Sequence, residues 1–193
     1  YNALMTDTKV VYIGILAEPP PNPETMKLIL DRAVASHGSA DFPSVEKAEK
    51  SPLAKRLFAL GEVTGVFLGA NFVTITRKTG SDWDALIERA KAAIREHYNS
   101  GEPVMVEEKP SPEAAGARSE LDAKIIEILE TQVRPAVAGD GGDITFMGFK
   151  EGVVYVQLQG SCSGCPSSTM TLKMGIERML KSMVPEVQRV EAV

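Results

Sequence analysis

Residues 156–169 read VQLQGSCSGCPSST. They close a β-branched, apolar run over 153–159 that has the composition of a strand. They open a helical run, Thr169–Met183, whose apolar face is Leu172, Ile176, Met179 and Leu180. Between the two lies a C-x-x-C, Cys162 and Cys165. Pro166 suits the first position of a helix, which puts Cys165 near the N-cap, where free amides and the positive helix end favour thiolate over thiol. Gly160 and Gly164 permit tight turns and close approach of backbone N–H groups to sulfur or an inorganic sulfide. Two thiolates on one loop can hold one side of a metal site.

Upstream of this loop, 144–149 reads as a strand joined to 153–159 through Lys150, Glu151 and Gly152. AGDGGD, residues 138–143, reads as a turn whose glycines take positive φ, a reading favoured over a role for Asp140–Asp143 in positioning the cysteine loop or binding a partner. Ser119 and Asp122 have capping-box spacing, with Asp in place of Glu, and Leu121, Ile125, Ile128 and Gln132 continue in helical period until Pro135 bends or ends the helix. Glu186–Val193 is a short last strand. The second half is therefore αββαβ.

GEPVMVEEKPSPEAAGAR, residues 101–118, has three prolines, a Glu-Glu pair and no sustained apolar period, the composition of an extended, solvated linker. It divides the chain into a domain over 5–100, a flexible linker over 101–118 and a domain over 119–193, with weak mechanical coupling between the two domains. In the first, Lys9–Ala17 reads as a strand, the EPPPNP loop (18–23) follows, and Thr25–Leu30 is a second strand. Ser51 and Pro52 open a helix with Leu53, Leu57 and Leu60 on one face, stopped at Gly61. Val63–Leu68 and Phe72–Arg77 form a hairpin around residues 69–71. Ser81 or Asp82 caps a longer helix with Trp83, Ile87, Ala90 and Ile94 as its buried stripe. The order is ββαββα, and the chain as a whole is α+β with two small domains.

The charge excludes one class of partner. Residues 1–100 hold 12 basic and 12 acidic side chains, 101–118 hold 2 and 4, and 119–193 hold 7 and 10, so no segment has the basic excess that nucleic acid requires. No apolar run approaches the roughly 18 residues that span a bilayer, so no membrane helix is expected. The N-terminus lacks a basic-then-apolar leader, so secretion is not expected. Tyr1–Leu4 precede Met5 and are left out of the fold reading.

Three chemistries compete for the two thiols. Thiol–disulfide exchange places a C-x-x-C at a helix start, but the thioredoxin-like fold needs considerable structure after the motif and here only one helix and one short strand follow. A zinc site closed within one chain lacks ligands, because this domain has two cysteines and no histidine. A site shared by two chains, with Cys162 and Cys165 from each, supplies four thiolates and suits an iron–sulfur cluster, or zinc as the bridge of a structural dimer. Asp140 and Asp143 pass for a carboxylate pair, but the domain offers no nucleophile or general-base histidine. A polyproline docking role for the EPPPNP loop is weighed against a rigid surface loop, which is favoured. Met170, Met174 and Met183 suggest an adaptable surface, with Met179 in the core. His37 and His97 read as ordinary surface or capping residues.

The 156–169 segment, followed by Leu172, Lys173, Gly175, Ile176 and Glu177, resembles the C-terminal domain of NifU-like (Nfu-type) proteins, as do Arg134–Val137 and Asp140–Asp143. The first half is similar to the Nfu N-terminal domain over Glu18–Pro23 with Lys27 and Leu28, Ser51–Ala54, Val66–Gly69 and Phe72–Thr76, with one departure, Pro20 where the family has Thr. The resemblance implies a non-catalytic iron–sulfur scaffold or carrier. It implies a [4Fe–4S] cluster, or a [2Fe–2S] one, bridged between two subunits by Cys162 and Cys165 and passed to apo-protein clients, with upstream assembly proteins as further partners. No other residue is carried over as a ligand. Because Met5, Thr6 and Asp7 look like a bacterial start and the cargo needs a reducing compartment, the bacterial cytoplasm is expected ahead of a mitochondrial matrix.

Overall fold

A computed structural model describes residues 11–35, 38–106, 119–162 and 166–193, the side chains of 166–168 apart. Two sheets, each with its own core, make up these residues. The first has five strands in the order β1 (Ile15–Glu18), β2 (Thr25–Leu30), β5 (Phe72–Arg77), β4 (Val63–Leu68) and β3 (Ala40–Phe42), with every neighbouring pair antiparallel. Helices α1 (Pro52–Phe58) and α2 (Trp83–Ser100) belong to this unit. Leu53 and Leu57 of α1 and Leu86, Ala90 and Ile94 of α2 share one core with Leu28, Val66, Leu68, Val73 and Ile75 of the sheet. A side chain of this size contributes roughly 1.5–3 kcal/mol when fully buried, so this layer holds the unit together.

The α1 start is built as expected: the Ser51 hydroxyl accepts the Ala54 N–H at 3.1 Å, and Pro52 occupies the first turn. Asp82 caps α2 and Gly101 ends it in the left-handed region at φ 75°. The α2 face is rotated from its expected phase. Leu86, Ala93 and His97 are buried beside Ala90 and Ile94, while Trp83 and Ile87 are only partly covered.

Several elements differ from the sequence reading. The first strand begins at Ile15 rather than Lys9; residues 1–10 lie outside the described residues. Ala40–Phe42 adds a short edge strand, and Val45–Lys50 forms a 3-10 turn, so the order is βββαββα with that turn before α1. Three residues are too few to show a period of two. The start of the expected linker lies on the first unit: Val106 N–H donates to the Lys50 carbonyl at 2.8 Å, and the Ser51 hydroxyl donates to the Val104 carbonyl at 2.6 Å. Residues 107–118 lie outside the described residues.

The second unit packs a helical layer on the sheet β6 (Gly142–Lys150), β7 (Val153–Gly160) and β8 (Arg189–Ala192), in which β7 and β8 are parallel. α3 (Glu120–Ile128) carries the complete Ser119–Asp122 capping box. Pro135 does not end the helical run. Leu129–Val133 widens into a π turn just before it, and α4 (Arg134–Gly139) continues. Glu151 and Gly152, at φ 51° and 80°, make the two-residue link between β6 and β7 that the twist of a hairpin favours. α5 (Pro166–Met183) starts three residues before the periodic run and buries Ile176 and Leu180, with Leu172 and Met179 packed at the edge of the core. Met170 and Met174 are exposed.

Candidate functional site

Cys162 stands two residues beyond the end of β7 and is buried among the side chains of the second core. Cys165 lies outside the described residues, so the pairing of the two thiols rests on sequence alone. Burial is the largest influence on the Cys162 thiol and pushes its pKa up to about 11, with the Asp140 carboxylate acting in the same direction and the Ser161 hydrogen bond opposing both. The thiolate-favouring position expected at the helix start belongs to Cys165, and Cys162 sits in the opposite environment.

The turn expected over residues 138–143 is what supports Cys162. Gly141 takes φ 79°, and Gly142 opens β6. A Cβ on Gly142 would stand 2.5 Å from the Gln159 carbonyl oxygen and 2.7 Å from the Cys162 sulfur, so only glycine lets the turn lie against the thiol. The Ser161 hydroxyl bonds to the Asp140 carbonyl, and the Thr169 hydroxyl donates to the Cys162 carbonyl at 2.8 Å, tying the loop to the first turns of α5.

Asp140 and Asp143 do not act as a pair. The Asp143 carboxylate accepts from Arg134 Nε at 2.8 Å and Nη2 at 3.0 Å, from the Ile144 N–H at 2.8 Å, and from the Ser39 hydroxyl. Burial raises its pKa, but these donors together outweigh it and hold the carboxyl below its usual range. The Asp143 hydrogen bond is also the largest influence raising the Arg134 guanidinium.

Ser39 belongs to the first unit, and it is one of several side chains there that reach this turn. The Lys27 ammonium donates to the carbonyls of Ala138 and Gly139 at 2.7 and 3.3 Å, capping the C-terminal end of α4, and lies 4.7 Å from the centre of the Phe72 ring. The Thr74 hydroxyl donates to the Gly141 carbonyl at 2.7 Å, and Asn22 Nδ2 donates to the Ser161 carbonyl at 3.3 Å. Asp41 accepts a backbone hydrogen bond from Gly160; burial raises its carboxyl and this bond opposes the rise. The proline loop is held in place, because the Trp83 indole donates to the Pro23 carbonyl at 3.1 Å and the Asn22 side chain accepts the Glu24 N–H at 3.0 Å. Lys27, Thr74 and the proline loop figure in the sequence reading, which does not foresee these contacts. The two units touch where weak coupling was expected.

His97 does not join the site. His37 lies outside the described residues. His97 is fully buried in the first unit, not at the surface, and neither ring nitrogen finds a hydrogen-bond partner among the described residues. Also among the described residues, no three of His, Cys, Asp and Glu cluster as metal ligands.

Residues 15–101 match the family described as "Scaffold protein Nfu/NifU N terminal", and residues 125–191 match the family described as "NifU-like domain". The chain is 42% identical over 186 residues to the human NFU1 iron-sulfur cluster scaffold homolog, mitochondrial, covering 95% of this chain and 73% of that protein. The chain belongs to the Nfu/NifU scaffold family. It is also 43% identical over 183 residues to NifU-like protein 4, mitochondrial, of Arabidopsis thaliana (92% of this chain, 65% of that protein). With the NFU1 homolog of Drosophila sechellia, also named mitochondrial, it shares 43% over 182 residues (93% and 64%). The chain therefore spans about two thirds of the length of these Nfu-type relatives. Their names overturn the expected bacterial cytoplasm and point to mitochondria. The likeness of Met5, Thr6 and Asp7 to a start site says nothing about compartment.

Proposed function

We propose that this Nfu-type chain is a non-enzymatic iron–sulfur scaffold or carrier. Two copies hold one [4Fe–4S] cluster as cargo through Cys162 and Cys165 of each and hand it to apo-protein clients, having received it from or built it with upstream assembly proteins. One observation carries the reading: the only two cysteines of the chain stand as a C-x-x-C between β7 and α5, with Cys162 seated against a glycine turn. Two thiolates are half of the set that such a cluster takes, so the cargo bridges two chains. The names of the relatives support the scaffold role and a mitochondrial setting.

We take residues 119–193 as the cluster-binding domain, 5–100 as the Nfu N-terminal domain and 101–118 as the linker. Family matches at 15–101 and 125–191 support this division. The test is anaerobic reconstitution with iron and sulfide. The wild-type chain gains broad visible absorbance, and Cys162→Ala and Cys165→Ala each lose it while keeping the wild-type circular dichroism. Full absorbance with wild-type lifetime in either variant would refute the ligand assignment.

A further inference from the structure

An antiparallel sheet with helices on one face leaves its other face to water, and polar side chains there are ordinarily exposed. In the first sheet they are not: Lys27 is 8% exposed and Thr74 1%. Lysine is almost never buried unless its ammonium is paired. Its partners are the last carbonyls of α4, where the negative end of the helix dipole favours a cation. Thr74 bonds Gly141, Asn22 bonds Ser161, and Phe67 stands against Gly160, whose φ of 68° and lack of a Cβ allow the approach. Each of the contacted backbone positions lies within 138–141, the segment against Cys162, or within 160–161, just before it in the chain.

The remaining space is small. The cavity between Cys162 and the proline loop, walled by Pro21, Asn22, Asp140 and Leu172, measures about 30 Å³. That holds a water or two, not a cluster of several irons with a second chain's sulfurs. A second cavity of about 370 Å³ is lined almost wholly by the first sheet and reaches Gly160 at its edge, so the two faces meet through these hydrogen bonds and the one buried ring of Phe67 against Gly160. Interfaces between two domains of one chain permit relative motion unless they are large and apolar.

We infer that the first sheet is a latch over the glycine turn and Ser161 beside Cys162, keyed by Lys27 and Thr74, and that the latched chain cannot present Cys162 to a second copy. Loading then requires the first domain to lift, and the latch keeps the unloaded thiol covered. The inference rests on the two-chain cluster reading for its purpose, but the latch itself is measurable without any cluster.

The test uses the unloaded full-length Cys165→Ser chain, whose only thiol is Cys162, with iodoacetamide as the probe. Lys27→Met keeps the stem and removes the charged donor. Hydrogen bonds to charged groups are strong enough that its loss raises the unlatched population, and with it the alkylation rate, roughly tenfold. Amide exchange is read alongside: residues 138–142 speed up, while the far end of the β6–β7 hairpin, Phe149–Val154, keeps its wild-type protection. Thr74→Val, which removes only a hydroxyl, gives a smaller change in the same direction and replaces Lys27→Met if the latter also loosens the hairpin. Unchanged alkylation and unchanged exchange at 138–142 in both variants overturn the latch. A chain that fails to take up iron and sulfide while passing these tests refutes the cluster reading and leaves the latch standing.

Discussion

Arg134 grips Asp143 with both arms, Nε to Oδ1 at 2.8 Å and Nη2 to Oδ2 at 3.0 Å, at a carboxylate that is 5% exposed. The pair spans the turn on which Cys162 rests, fixing the last segment of the helical run to the first residues of β6. Pro135 and the π turn before it place Arg134 at the start of α4.

Arg134→Met therefore leaves a buried carboxylate with only the Ser39 hydroxyl and the Ile144 N–H. The second unit should lose about 2 kcal/mol at neutral pH, the range for hydrogen bonds to a charged group, read as a lower midpoint in urea. Asp143 titrates below its ordinary value of 3.8 when folded. Its stabilisation is fully present above that value and is lost as pH falls through the lower folded one. The gap between wild type and variant should close below about pH 4. A gap that stays constant down to pH 2 would separate the stabilisation from the Asp143 charge.

His97 gives the first unit the opposite kind of pH dependence. Burial is the main cause lowering its pKa below 6.5, with the Arg56 charge adding to it, so the folded unit keeps it neutral. The unfolded chain binds a proton below about pH 6.5 and the folded one does not, so stability falls as pH drops from 7 toward 5. His97→Leu, which also removes two ring nitrogens that lack hydrogen-bond partners among the described residues, should flatten that slope. Equal slopes in denaturant midpoint for wild type and variant would show that His97 is not held neutral.

Gly142→Ala tests the support of the thiol. The new methyl meets the Gln159 carbonyl and the Cys162 sulfur, and the first of these is backbone and cannot turn aside. A loss of roughly 1–3 kcal/mol in the second unit is expected, typical of overpacking, together with shortened cluster lifetime after reconstitution. Wild-type lifetime in this variant would mean that the turn does not position Cys162.

Where a segment's own residues settle its form, the sequence was enough. The β4–β5 hairpin and the helix opened by Ser51 and Pro52 lie where composition and capping place them. The C-x-x-C stood out because cysteines occur nowhere else. The rotation of α2 was not legible, because Trp83 and Ile87 fit an apolar stripe as well as Leu86 and Ala93 do. The role of Lys27 and Thr74 was hidden for a related reason. A strand that alternates polar and apolar residues looks the same whether its polar side meets water or another polar surface. Asn22 and Ser39 carried no periodic signal. The one available hint was the glycine pair at 141–142, which marks a close approach without saying what approaches.

The most direct test of the account is the mass of the anaerobically reconstituted full-length chain by gel filtration with light scattering, with iron and sulfide counted on the same peak and Mössbauer spectra recorded. The account expects a holo-dimer with about four irons and four sulfides per two chains and a cubane spectrum, and mostly monomer before loading. A monomer that carries the full iron and sulfide complement would contradict the two-chain site built on Cys162 and Cys165.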